Sequence, residues 1–219
     1  MKRVVLILSG CGVYDGAEIH ESVLTLLALD KAGADVTVAA PDVNQFHVVN
    51  HQTGEVMQNE SRNVLLESAR IARGPVKRVA ELKVEDYDAA VLPGGYGAAK
   101  NLSSFAVDGA DCTVEKSVAD FLRQFHDAGH PIGFACISPA IAAKVFGEEG
   151  VHLTVGNDED TAAALEANGA KHVNCPVEAF VIDEGLKIVS TPAYMLGPRI
   201  SDVETGITRW IKAVLELVE

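Results

Sequence analysis

Short unbroken apolar runs alternate with longer stretches of helical spacing from the first residues of the chain onward. Val4-Val5-Leu6-Ile7-Leu8 has no polar interruption, the pattern of a parallel strand covered on both faces, and it ends at Ser9-Gly10-Cys11-Gly12. From about Ala17 to Ala32 a helix is predicted, with Ile19, Val23, Leu26, Leu27 and Ala28 on its apolar face and Gly33 as its stop. Val36 to Ala40 predicts a second strand, closed by Pro41-Asp42. Residues 43–60 are polar and irregular and read as an excursion at the carboxyl edge of a sheet. Asn63 to Ala72 predicts a short helix ended by Gly74-Pro75. Asp88 to Leu92 is the next buried strand and runs into Pro93-Gly94-Gly95-Tyr96-Gly97, where closely spaced glycines permit backbone approaches that side chains would block. Thr113 to Ala128 is amphipathic and leads into a strand at Pro131 to Ala135. Beyond it come an Ala/Ile-rich helix opened by Ser138-Pro139, a strand at Leu153-Thr154-Val155, and a helix from about Thr161 to Asn168. A strand pair around Phe180 to Asp183 and Leu186 to Ser190, then a helix from about Pro198 to Val218, complete the chain.

Strand and helix in strict alternation imply one α/β domain over residues 1–219: a doubly wound, mostly parallel sheet with helices on both faces, a three-layer sandwich. Ligands of such sheets bind beyond the carboxyl ends of the strands. Three loops of unusual chemistry occupy those ends, Gly10 to Glu18, Gly94 to Leu102, and Cys136 with Ile137, and they are expected to converge. Cys136 sits on the corner between a buried strand and a helix, where free N–H groups and the helix dipole favour a thiolate. Glu18, at the start of the first helix, is the carboxyl expected to exchange a proton with that sulfur. The Gly94-Gly95 turn, with the N–H of Ile137, could form an oxyanion hole.

A formal net charge of -13 and a pI near 4.9 argue against nucleic-acid binding, which depends on cations neutralising phosphates. The apolar run at the amino end is too short for a secretory signal, and no segment has the roughly 18 apolar residues of a membrane helix. Cys11, Cys112, Cys136 and Cys175 show no Cys-x-x-Cys spacing, so neither a zinc site nor a disulfide framework is expected; a reducing, cytoplasmic setting is.

The order of Glu18 after the first strand, Leu92-Pro93-Gly94-Gly95 with Asn101-Leu102 after a middle strand, and the Gly-Phe-Ala-Cys136 corner resembles the PfpI-type branch of the class I glutamine-amidotransferase-like superfamily. The resemblance spans essentially the whole chain. It implies a flavodoxin-like fold, a homodimer, and a glyoxalase activity on small dicarbonyls that needs no cofactor and no metal. It also implies Cys136 as nucleophile with Glu18 as its proton partner and Gly95 and Ile137 as oxyanion donors. One departure stands out. Many relatives carry histidine directly after the nucleophile or on the next strand, positions occupied here by Ile137 and by Val155 or Gly156. The amidotransferase His-x-Glu pair is also absent, because His152 and His172 lead into Leu-Thr and Val-Asn, so peptidase and glutaminase readings lose their general base. His20 and His51 could substitute from the rim, and with Asn101 they complete the candidate substrate-binding residues.

Two other functions fit the same residues. A redox-sensing or partner-binding protein would use an oxidisable Cys136. A dinucleotide-binding oxidoreductase would use Gly10, Gly12 and Gly16, with Asp42 as ribose ligand.

Overall fold

The computed structural model describes residues 1–219. Strand β1 (Arg3–Ile7) leads to α1 (Ile19–Lys31) and β2 (Asp35–Ala40), then α2 (Val64–Ala72) and a two-residue edge strand β3 (Lys77–Arg78). Strand β4 (Ala89–Leu92) is followed by two short helices, α3 (Tyr96–Lys100) and α4 (Phe105–Asp108), then α5 (Lys116–Asp127), β5 (Ile132–Ala135) and α6 (Pro139–Phe146). The remainder is β6 (His152–Leu153), α7 (Glu159–Ala167), β7 (Lys171–His172), β8 (Val181–Asp183), β9 (Ile188–Thr191) and α8 (Ile200–Glu216). Seven strands form one sheet in the order β3-β2-β1-β4-β5-β9-β8, parallel except that β8 runs against β9. The architecture is the flavodoxin-like, doubly wound sandwich expected from the alternation of elements.

Every central strand is apolar because both of its faces are covered. Along β1, Val4 and Leu6 point toward α1 and α8, whereas Val5 and Ile7 point toward the side of α5 and α6. Val118, Phe121, Leu122 and Phe125 at helical spacing bury one face of α5, and Trp210 anchors α8 with its indole N–H donating to the Val189 carbonyl at 3.0 Å.

Three expectations need correction. The strand at Leu153 lies outside the main sheet: β6 pairs only with β7, a strand too short and polar for periodicity to reveal. The Gly94 to Leu102 loop is largely helical, as α3. Most consequentially, α1 is rotated relative to its apolar pattern. Glu21, Ser22, Thr25, Ala28 and Leu29 are buried, whereas Ile19, Val23 and Leu27 are exposed. The polar face of this helix is the one turned inward.

Trp210→Ala, which empties a fully buried indole site, is expected to lower unfolding free energy by about 3–5 kcal/mol. Lys116→Ala, which removes an exposed pair with Asp120, is expected to change it by less than about 1 kcal/mol. Urea unfolding of the two variants beside the wild type measures both.

Candidate active site

The corner after β5 is held from two sides. Cys136 adopts φ 59°, a left-handed conformation that costs a non-glycine residue about 1–2 kcal/mol. Its N–H donates to the Thr191 carbonyl at 3.0 Å, joining the corner to β9. The buried Ser138 hydroxyl accepts the Ala135 N–H at 2.9 Å and lies 2.8 Å from the Leu92 carbonyl, joining it to β4. The sulfur is thereby presented at the carboxyl edge of the sheet, where the N–H groups of Gly95 and Ile137 lie close to it.

The neighbouring turn must approach very closely. A Cβ on Gly94 would stand 2.4 Å from that of Cys136, and one on Gly95, which has φ 92°, would stand 2.3 Å from the backbone nitrogen of Glu18. Glycine at both positions lets the turn lie against the nucleophile and against the start of α1.

The carboxyl that meets the sulfur is Glu21, not Glu18. Glu21 is fully buried in the first turn of α1, with its carboxyl beside the Cys136 sulfur. One of its oxygens accepts the Gly94 N–H at 2.8 Å and the other accepts the Tyr194 N–H at 3.1 Å. Glu18 instead caps α1, accepting the Glu21 N–H at 2.6 Å, while its own N–H donates to the Gly94 carbonyl. The spacing is that of a capping box, in which the second acid ordinarily turns back to the cap's own N–H. Here the cap N–H is already taken by Gly94, and Glu21 reaches across to the nucleophile. The Glu18 carboxyl remains on the cleft wall.

Burial, reinforced by the charge of Glu18, raises the Glu21 carboxyl to about 7 against the pull of its two backbone N–H partners. Burial also pushes the Cys136 thiol well above its usual range, with the Glu21 charge adding to the effect and the Gly95 and Ile137 N–H groups opposing it. The thiolate expected from the corner position is therefore corrected. With only 8% of its surface exposed and a carboxyl beside it, the sulfur rests as a thiol whose proton has an acceptor at hand.

The sulfur opens into a cleft of about 460 Å³ walled by Val13, Tyr96, Phe105, Ile137, Tyr194 and Met195, with Glu18 and Asp158 as its acidic residues. Gly95 and Ile137 are on this wall as expected, but the other candidates are not. His20 is exposed behind Tyr194, with Nδ1 2.8 Å from the phenol oxygen. His51 is not on the cleft wall: its Nε2 accepts the Tyr14 N–H at 3.2 Å and its Nδ1 lies 3.0 Å from the Val49 carbonyl. Asn101 does not line the cleft: it donates to the carbonyls of Ser9 and Asp15 and accepts the Phe46 N–H, fastening loops together. The dinucleotide reading fails on geometry. Gly16 packs onto the backbone of Gly10 and Cys11, Glu18 occupies the start of α1 where a pyrophosphate would lie, and Asp42 is tied to Arg78 and Asn63.

The DJ-1/PfpI family profile matches residues 2–190. The ES1 protein homolog, mitochondrial, of Rattus norvegicus is 50% identical over 98% of this chain and 84% of its own length. The human glutamine amidotransferase-like class 1 domain-containing protein 3, mitochondrial, is also 50% identical, over 98% of this chain and 83% of its own length. Among solved structures, an isoprenoid biosynthesis protein with an amidotransferase-like domain from Ehrlichia chaffeensis superposes with a TM-score of 0.90 at 37% identity, covering 98% of this chain and 99% of that one. The cytoplasmic expectation is overturned by the mitochondrial names of relatives this similar. Free cysteines report a reducing environment, and that does not separate one compartment from another.

Glu21 binds its proton up to about pH 7 in the folded chain, but only to about 4.5 in the unfolded one. Between those values the folded state holds the additional proton, so stability contributed by this group falls as pH rises, by up to about 3 kcal/mol, and is level above pH 7. Glu21→Gln is expected to flatten that window. Urea midpoints at pH 5 and pH 7.5 for wild type and variant check it, and parallel profiles would refute the assignment.

Proposed function

Because the chain belongs to the DJ-1/PfpI family, whose members include glyoxalases, deglycases and redox-sensing proteins, we propose that it is a cofactor-independent glyoxalase-type lyase. Its substrates would be small dicarbonyls, with glyoxal converted to glycolate. Within the family we read it as an ElbB-type protein, the bacterial group named for enhanced lycopene biosynthesis. The Leu8 to Gly16 stretch, Val49-Asn50-His51, the Gly94 to Leu102 loop and the Ser190-Thr191-Pro192-Ala193-Tyr194-Met195 stretch support that reading.

The observation that carries the proposal is the Cys136–Glu21 pair with two backbone N–H groups aimed at the sulfur. As the sulfur adds to one aldehyde carbon, Glu21 takes the thiol proton and returns it to the new alkoxide, leaving a hemithioacetal. Glu21 next removes the hydrogen from that carbon. The enediolate oxygen faces the N–H groups of Gly95 and Ile137; the hydroxyl proton of the first carbon shifts to the oxygen of the second, and Glu21 returns its proton to the second carbon to give a hydroxyacyl thioester. Water releases glycolate and restores the thiol. One glyoxal and one water become one glycolic acid, so no external oxidant or reductant enters. A carboxyl near 7 suits both halves of the proton transfer at neutral pH.

The redox-sensing alternative has less support. Sensor cysteines are exposed and readily ionised, whereas Cys136 is buried and held as a thiol.

Glycolate formation from glyoxal, without glutathione or metal, is expected from the wild type. It should be abolished by Cys136→Ser and reduced at least about 100-fold by Glu21→Gln. Glu18→Gln, which keeps an oxygen for the cap, should lose far less. Turnover that survives Cys136→Ser would remove the proposal.

A further inference from the structure

The reaction proposed above ends with a water attacking the thioester, and no histidine adjoins the nucleophile to activate that water. Tyr194 and its neighbour His20 carry groups able to take and pass on a proton. Tyr194 lines the cleft that holds Cys136, and its hydroxyl is 2.8 Å from Nδ1 of the exposed His20. A neutral imidazole with its proton on Nε2 presents Nδ1 as the acceptor of the phenol proton.

The backbone around Tyr194 carries a second, independent observation. Ala193, fully buried, adopts φ 43°, so this loop is strained at its turn just as the neighbouring corner is strained at Cys136. Strain at a buried non-glycine residue persists only where the surroundings enforce it, and it concentrates at functional sites. Here the strained turn aims the Tyr194 N–H at a Glu21 oxygen while Tyr194 lines the cleft. Burial and the charges of Glu18 and Glu21 raise the phenol above its usual range, so it stays a protonated hydrogen-bond donor at neutral pH.

Resting on the glyoxalase reading, we propose that Tyr194 is a catalytic residue for thioester hydrolysis and that His20 is the positioning residue that accepts its proton. As water attacks the thioester carbon, its proton passes to the Tyr194 oxygen while the phenol proton passes to His20 Nδ1. The resulting oxyanion faces the Gly95 and Ile137 N–H groups. The carbon–sulfur bond then breaks as the Glu21 carboxylate carries the intermediate's remaining hydroxyl proton to the sulfur. His20, which is exposed, delivers its proton to solvent, and the two protons of water are accounted for between thiol and medium. The relay supplies from Tyr194, on the cleft wall, what a histidine beside the nucleophile would otherwise supply.

The test is rapid-mix turnover of glyoxal, with the Cys136 adduct followed by mass spectrometry, for wild type, Tyr194→Phe, His20→Gln and Cys136→Ser. Tyr194→Phe keeps the ring and the backbone N–H to Glu21. It should form the adduct at the wild-type rate, accumulate it, and release glycolate at least about 100-fold more slowly, with kcat and KM falling together. His20→Gln should show the same pattern to a smaller extent. Release by Tyr194→Phe at the wild-type rate, or an equal loss of adduct formation and release, overturns the relay while leaving the glyoxalase reading standing. A wild type that forms no glycolate, or forms as much as Cys136→Ser, overturns the reading and the relay with it.

Discussion

Everything distinctive about this chain follows from placing a carboxyl and a thiol against each other in a buried position. Neither group gains by being there, because burial penalises the charged form of each and each charge opposes the other. The pair is tolerated because backbone donors are supplied on every open side, Gly94 and Tyr194 to the carboxyl and Gly95 and Ile137 to the sulfur. Those four donors come from the ends of three strands, β4, β5 and β9, which is why the site needs a parallel sheet whose carboxyl edges meet at one point. Removing any one of these loops would leave a buried polar group unpaired, at a cost of roughly 1–3 kcal/mol.

Backbone strain sits on the same three strand ends. Cys136 and Ala193, on adjacent strands, both hold left-handed conformations, and Gly95 holds φ 92° without the penalty. The two strained residues are cross-linked, since the Cys136 N–H donates to the Thr191 carbonyl just before the second turn. Relaxing one corner would therefore disturb the other. At these strand ends the strain falls on residues that aim groups at the sulfur or at its carboxyl; elsewhere only Arg73, at the end of α2, and Lys187, in the turn between β8 and β9, are left-handed without being glycine.

Alternation of apolar runs was enough to read the sheet, the crossovers and the loop convergence, because burial on both faces leaves a pattern that few other structures share. Cys136 was legible from its corner, and Gly95 and Ile137 followed from where that corner had to sit. Glu21 was not. Apolar spacing along α1 assigns Ile19, Val23 and Leu27 to the core, yet those three are exposed and the face bearing Glu21, Ser22 and Thr25 is turned inward. Periodicity locates the buried face by its apolar residues and misplaces it when the buried face is polar for functional reasons. The available clue was the Glu18 and Glu21 spacing, which reads as a cap followed by a second acid that could be spent elsewhere. Asn101 and His51 failed for the opposite reason. Polar residues in long loops look available in a sequence, whereas here the loops consume their hydrogen-bonding capacity in fastening one another.

The two acids of α1 divide the work in a way that explains why both are needed. Glu18 organises the start of the helix, and by lying close to Glu21 it also raises that carboxyl toward neutrality. A lone carboxyl buried beside a thiol and held by two N–H groups would ionise more readily and return protons less readily. The neighbouring charge shifts the balance so that Glu21 can both take a proton and give one back near pH 7. Moving a hydrogen from one carbon of a substrate to the next requires that reversibility, and it requires only one group if that group stays in place between the two transfers. Hydrolysis of an amide asks for more, since a leaving nitrogen must be protonated while the nucleophile is freed. The geometry around Cys136 thus matches an internal proton shift followed by thioester hydrolysis better than amide cleavage, and the distinction rests on where the protons can go rather than on the nucleophile itself.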